Sequence, residues 1–163
     1  MTEKISDADK EAHRKTGIKF FNDTWTYIEK KNRTKEDDEL MLSYAHASRV
    51  HWILSDCPKV NVQRGYWIVS RVNAILNRPE EALRYAKLTL DLTEEPSETN
   101  GFQEFDVAYA NEAMARSYAI AGDKENFEMY HALAVEAGEK QTDKHDKDYW
   151  DKDFANEPWN GMK

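Results

Sequence analysis

The stretches "YWIVSRVNAILNRPEEALRYAKLTLDL" (residues 66–92) and "NEAMARSYAIAGDKENFEMYHALAVEA" (residues 111–137) lie over one another at an offset of 45 residues, and that match decides the fold. Ile75 falls on Ile120, Arg71 on Arg116, Asn77 on Gly122 and Tyr85 on Tyr130. On either side of a short break the apolar residues recur at three- and four-residue spacing, which is the pattern of two helices joined by a turn. Ser70 and Ala115 supply a small side chain at the same place in each copy, where paired helices must approach closely. A helical hairpin cannot bury its apolar face alone, so copies of it are expected to stack.

The same periodicity extends outward from this pair. A first helix is expected at about 7–32, with Ile18, Phe21, Trp25 and Ile28 on one stripe. A second is expected at about 36–57, with Thr34 as its cap and Cys57-Pro58 as its end. The third runs about 63–77, and the fourth about 79–93 with Pro79 in its first turn. "TEEPSETNG" (93–101) reads as a linker because Pro96, Asn100 and Gly101 break helices. The fifth, about 102–121, ends at Gly122, and Asp123 caps the sixth, about 123–140. A short helix at about 143–155 and an extended end complete the chain. No segment alternates with a strand's period of two.

This unit resembles the tetratricopeptide repeat, a helix–turn–helix of about 34 residues with a small residue in mid-helix and an Ala early in the second helix. Ala82 holds the second-helix position in the middle hairpin, and Phe127 replaces it in the last. The extra residues fall in the 93–105 linker and in longer helices. The resemblance covers about half the chain by sequence and the rest by shape. It implies an all-α single domain over 1–163, with three antiparallel hairpins (about 7–57, 63–93 and 102–140) in a short right-handed solenoid and a C-terminal extension at 143–163. The phrases "AHASRVHW" (45–52), "RGYWIVSRV" (64–72) and "EPWNGMK" (157–163) also resemble a little-characterised bacterial family of tetratricopeptide-like proteins. That implies a fold and a bacterial source, and no activity.

Composition bounds the function. Five Trp and 40% hydrophobic residues suit a packed core, and few Gly and Pro suit helices with short connections. The net charge of −8 argues against a nucleic-acid partner, which needs a surplus of Lys and Arg. Within this acidic chain, residues 43–79 are basic, with Arg49, Lys59, Arg64, Arg71 and Arg78 against Asp56 alone. A lone Cys57, a charged start and no apolar run long enough for a bilayer lead us to expect a cytoplasmic protein without a membrane partner. Cys57 at a helix C-terminus is a poor nucleophile, because the dipole opposes a thiolate. There is no glycine-rich phosphate loop, no nucleophile elbow and no metal-spaced His/Cys cluster. We therefore expect no enzyme, cofactor, metal or catalytic residue.

The candidate residues lie in "YAHASRVHWIL" (44–54) and on the third and fifth helices. His46 and His51, five residues apart, point about 140° from one another at 100° per residue, so they cannot share one metal. His46 and Arg49 share a face, with Trp52 at its edge. Arg64, Trp67 and Arg71 form a stripe on the third helix, and Glu112 precedes Arg116 by one turn on the fifth. First helices of a tetratricopeptide stack line a concave groove, where Arg71 and Arg116 would sit one hairpin apart. Guanidinium forks suit carboxylates and phosphates, and Trp67 offers an apolar wall. The leading expectation is an interaction module, scaffold or adaptor, whose basic, Trp-lined groove holds an acidic peptide segment or a partner subunit. The structural alternative has Arg71 and Arg116 paired internally, keeping hairpins in register. A rival is a small-molecule or anion sensor, or an enzyme, with a closed pocket around His46, Arg49, Arg64 and Trp67. A third class is a homo-oligomer. Trp159 is expected to dock, on its own domain or in a neighbour's groove, because an indole is costly to leave in water.

Overall fold

The computed structural model describes residues 4–95 and 101–163, so most of the 93–101 linker, including Pro96 and Asn100, lies outside the described residues. Seven helices follow in order: α1 (Asp7–Glu29), α2 (Lys35–Leu54), α3 (Lys59–Ile75), α4 (Pro79–Glu94), α5 (Glu104–Ala121), α6 (Lys124–Glu139) and α7 (Lys144–Ala155). There is no strand among the described residues, and no helix is long and apolar enough to cross a membrane. The molecule is thus all-α.

Local chemistry sets most of the helix ends. Thr34 and Asp37 form a reciprocal capping box at α2, and the Asp123 and Asp143 carboxylates accept from the amides of Asn126 and Asp146 to start α6 and α7. The equivalence of the middle and last hairpins holds at the backbone. Asn77 and Gly122 both take the left-handed conformation, with φ of 55° and 77°. Each is followed by the same closing bond, Arg78 N–H to Asn73 O at 2.9 Å and Asp123 N–H to Tyr118 O at 3.0 Å. Helices α1, α2 and α3 end two or three residues before the expected positions, and the starts of α3 and α5 also shift. Helix α3 begins at Lys59 rather than 63, because Pro58 opens the helix instead of delaying it; a proline lacks only an N–H that the first turn leaves unpaired anyway. Helix α5 begins at Glu104 rather than 102, where Gln103 and Asp106 make a second capping box.

The helices pair as α1/α2, α3/α4 and α5/α6. Each second helix also meets the next hairpin's first helix, and α1, α3, α5 and α7 touch in series along one side. This is the contact pattern of a solenoid. Close approach depends on two helical glycines. A Cβ on Gly17 would stand 2.6 Å from the Trp52 ring, and one on Gly138 would stand 2.2 Å from Trp150 Nε1. The main core runs through Met41, Trp67, Ile68, Val72, Tyr85, Met114 and Trp150. A smaller cluster of Ala115, Ala119, Phe127 and Trp159 closes the far end. Phe127 stands where a small residue was expected, and the tail's Trp159 packs over it.

Candidate functional site

The α2 motif splits between two neighbours. Tyr44 and His51 face α1, where Tyr44 stacks on Phe20 at 5.3 Å and His51 Nδ1 lies 2.8 Å from His13 Nδ1. Ser48 donates to Gly17 O, and Trp52 packs on Phe21. His46 and Arg49 face α4 instead. The His46 ring meets Tyr85 edge-on at 5.6 Å, and the Arg49 guanidinium lies 5.8 Å from the same ring. Burial, and then the Arg49 charge, hold His46 below the ordinary histidine pKa.

Helices α3, α5 and α7 bring the other candidates together in a buried ion cluster. Arg71 donates to Glu112 Oε1 at 2.9 Å and to Asp153 Oδ1 of α7 at 3.0 Å. The Trp67 indole N–H donates to Glu112 Oε2 at 2.9 Å, and Arg116 Nε donates to Glu112 Oε1. Arg71, Glu112 and Arg116 are only 3%, 1% and 1% exposed. Burial opposes the charge on Glu112, but the two guanidiniums and the Trp67 donor outweigh it and keep the carboxyl below its usual range. Burial and the neighbouring Arg71 charge pull Arg116 down to about 10, so it stays charged at neutral pH. Arg116 also donates to the carbonyls of Asn156 (2.7 Å) and Pro158 (3.3 Å), and its guanidinium lies 4.0 Å from the centre of the Trp159 ring. Trp159, 1% exposed, docks on its own chain. Along this part of the first-helix face, the carboxylates that the two arginines hold are the chain's own.

What remains open is a groove between α1 and α7, floored by α3 and α5. Behind its surface runs an aromatic ladder: Trp25 stacks on Trp67 at 5.9 Å, Trp67 meets Tyr109 edge-on at 5.1 Å, and the buried Trp150 backs Tyr109 edge-on at 5.0 Å. At one end a cavity of about 350 Å³ is walled by Phe21, Trp25, Trp67, Phe105, Tyr109 and Tyr149. Its polar rim is Arg64, Asp106 and Asp146. Arg64, on a half-exposed side chain, donates to Asp106 Oδ1 at 3.1 Å. Burial raises the Asp106 carboxyl despite this partner. Toward the other end the groove widens past Arg71 and Ile75, between Lys31 and Lys152.

The expected site residues therefore divide three ways. Trp67, Arg71, Glu112 and Arg116 meet in one cluster, Arg64 shares the aromatic cavity with Trp67, and His46 and Arg49 line neither cavity. Outside the groove, Asp143, His145 and Asp146 bring ligand-type atoms within 4.8 Å of one another on exposed surface, with Asp143 already capping α7. Trp25 was read from sequence only as part of the α1 apolar stripe, and Tyr109 and Tyr149 were not singled out. The available signal was the spacing of Trp25, Trp67 and Tyr109, each 42 residues from the next. The 45-residue alignment hides this, because it matches Trp67 with Glu112.

No protein-family model matches the chain, and neither curated proteins nor solved structures provide a match.

Proposed function

We propose that this protein is an interaction module whose α1–α7 groove holds a peptide segment of a partner protein. The observation that carries the reading is the aromatic cavity walled by Phe21, Trp25 and Tyr149 over the buried Trp67 and Tyr109, with the half-exposed Arg64 at its edge. Aromatic walls beside a basic fork are the composition of an interface centre, since rigid rings are ordered at small entropic cost. The acidic-segment reading stays attached to Arg64 and the two groove lysines. Arg71 and Arg116 instead hold α7 and the tail, and so build the wall against which the segment lies.

A peptide-display selection on the full chain tests this reading. Enriched peptides should bind wild type and lose about tenfold or more in affinity for Trp25→Ala, a half-buried position whose truncation leaves the ion cluster intact. Failure to enrich any sequence, or binding indifferent to Trp25→Ala, defeats it. A small-molecule reading has one observation in its favour. The aromatic cavity is of ligand size and brings Gln63, Arg64 and Asp106 to its edge. A thermal-shift screen of aromatic acids that stabilises wild type, with no peptide enriched, would favour that reading.

A further inference from the structure

The aromatic cavity is acidic at its rim, and its chemistry deepens the peptide-binding reading on which this inference rests. Three charged side chains reach it: Arg64, Asp106 and Asp146. Arg64 is paired with Asp106, whose Oδ1 accepts from Nε at 3.2 Å and from Nη2 at 3.1 Å. The other Asp106 oxygen accepts the Gln103 amide N–H. Asp146 differs, because its carboxylate makes no hydrogen bond or ion pair among the described residues. The α7 lysines beside it, Lys144 and Lys147, are tied to Asp148 and Asp151. Asp143 brings a second carboxylate oxygen within 4.8 Å of that of Asp146. After the pairs cancel, the rim keeps a negative charge.

The walls select in the same direction. Phe21, Trp25 and Phe105 are half-buried and Tyr149 is exposed, so the cavity is bounded by accessible ring surface, with the buried Trp67 and Tyr109 behind. Aromatic faces carry the negative part of the ring quadrupole and attract cations. The chain itself uses this attraction at the rim, where the Arg64 guanidinium lies 6.0 Å from the centre of the Phe105 ring. The Asp106 carboxyl is already pushed up, by burial first and with the Asp146 charge adding to it. An anion in the cavity would add to that strain on the carboxylates, and a cation relieves it. We infer that the cavity takes an arginine side chain of the partner segment, with its guanidinium against the aromatic walls and its N–H groups on Asp146. A guanidinium suits the site better than an ammonium, because it is planar, weakly hydrated and can meet a ring and a carboxylate together. Its methylene stem also packs on apolar walls. The acidic character expected of the segment is then confined to residues outside the cavity.

The experiment uses peptides enriched on the full-length protein, resynthesised with a fluorophore and titrated by fluorescence polarisation. An arginine should recur among them. Its replacement by citrulline, which keeps the shape and loses the charge, should cost about tenfold, and lysine at that position should also bind more weakly. Asp146→Asn should weaken the arginine peptide by about the same factor, leaving the citrulline peptide and the circular dichroism unchanged. Arg64→Gln should leave the arginine peptide bound at least as tightly, because it removes a like charge from the rim. Weaker binding to Arg64→Gln would mark an acidic occupant and overturn the assignment. Enriched peptides without arginine, equal affinity for the arginine version and either replacement, or indifference to Asp146→Asn overturns it too, and in each case a loss in Trp25→Ala keeps the groove reading standing. A selection that enriches nothing, or peptides whose binding ignores Trp25→Ala, sinks both.

Discussion

Arg64 and Arg71 lie two helical turns apart on α3 and both hold carboxylates of α5, yet they have opposite surroundings. The Arg71 side chain is 2% exposed and bridges α5 and α7 through Glu112 and Asp153. The Arg64 side chain is 42% exposed and holds only Asp106. The difference comes from α7, whose Asp153 closes over Arg71, whereas its earlier residues Asp146 and Tyr149 stand off across the aromatic cavity. A charge sealed with its partners fixes how hairpins register, and one left at a rim remains available to a ligand. One helix face thus serves as both a structural joint and an open surface, according to what the C-terminal helix covers.

The largest effect should come from breaking the sealed side. Glu112→Ala leaves Arg71 with Asp153 alone and Arg116 with backbone carbonyls only, and should cost about 3–5 kcal/mol, with loss of cooperative unfolding in urea monitored by circular dichroism. Arg71→Glu should do as much; if either variant melts like wild type, the cluster is not the joint described here. Trp159→Ala removes the indole that covers Phe127 and stacks on Arg116, and should cost about 3 kcal/mol, at the lower end for a buried Trp. Calorimetry on that variant and on a chain ending at Ala155 should give similar losses, with unchanged mass in light scattering because Trp159 docks on its own chain.

Arg64→Ala tests the open side. It should cost only about 1–2 kcal/mol, because one charged hydrogen-bond partner is lost at a rim, and it should raise the Asp106 carboxyl further, as read by NMR titration. A loss as large as that of Arg71→Glu would erase the distinction between the two arginines. The smallest effect is a pH dependence. His46, His51 and His131 are all held below 6.5, in each case chiefly by burial, with Arg49, His13 and Lys163 adding to the shift respectively. Groups depressed in the folded state contribute stability that is present above the unfolded value and lost as pH falls below it. Melting temperature should therefore drop from pH 7.5 to 5.5, and His51→Gln should flatten part of that slope. A melting temperature independent of pH over this range would contradict it.

Thr34, Pro79, Gly122 and Asp123 made most helix ends legible, because a cap is a contact between residues no more than five apart. The match of Asn77 with Gly122 carried the hairpin repeat, and the structure returns it as paired left-handed turns. Pro58 was misread because a proline is compatible both with the end of one helix and with the start of the next. The aromatic floor was hidden for a different reason. Neighbouring first helices are staggered, so Trp67 meets Tyr109 although the repeat aligns it with Glu112. The two α2 residues His46 and Arg49 were correctly placed on one face, but a helical wheel does not say which neighbour that face meets.

By itself, then, the sequence determined the elements, their order, the repeat that stacks them, and the side chains rich enough in charge and aromatic surface to matter. Periodicity and capping are local, and they survive without knowledge of any neighbour. Only the tertiary structure decided that Arg71 pairs with a carboxylate 82 residues away, that Trp159 covers the last hairpin, and that Arg64 is left at an open rim. Those outcomes depend on the stagger between packed helices and on how far α7 reaches along the face. Both are set by the summed packing of many side chains, and no single stretch of the chain encodes them.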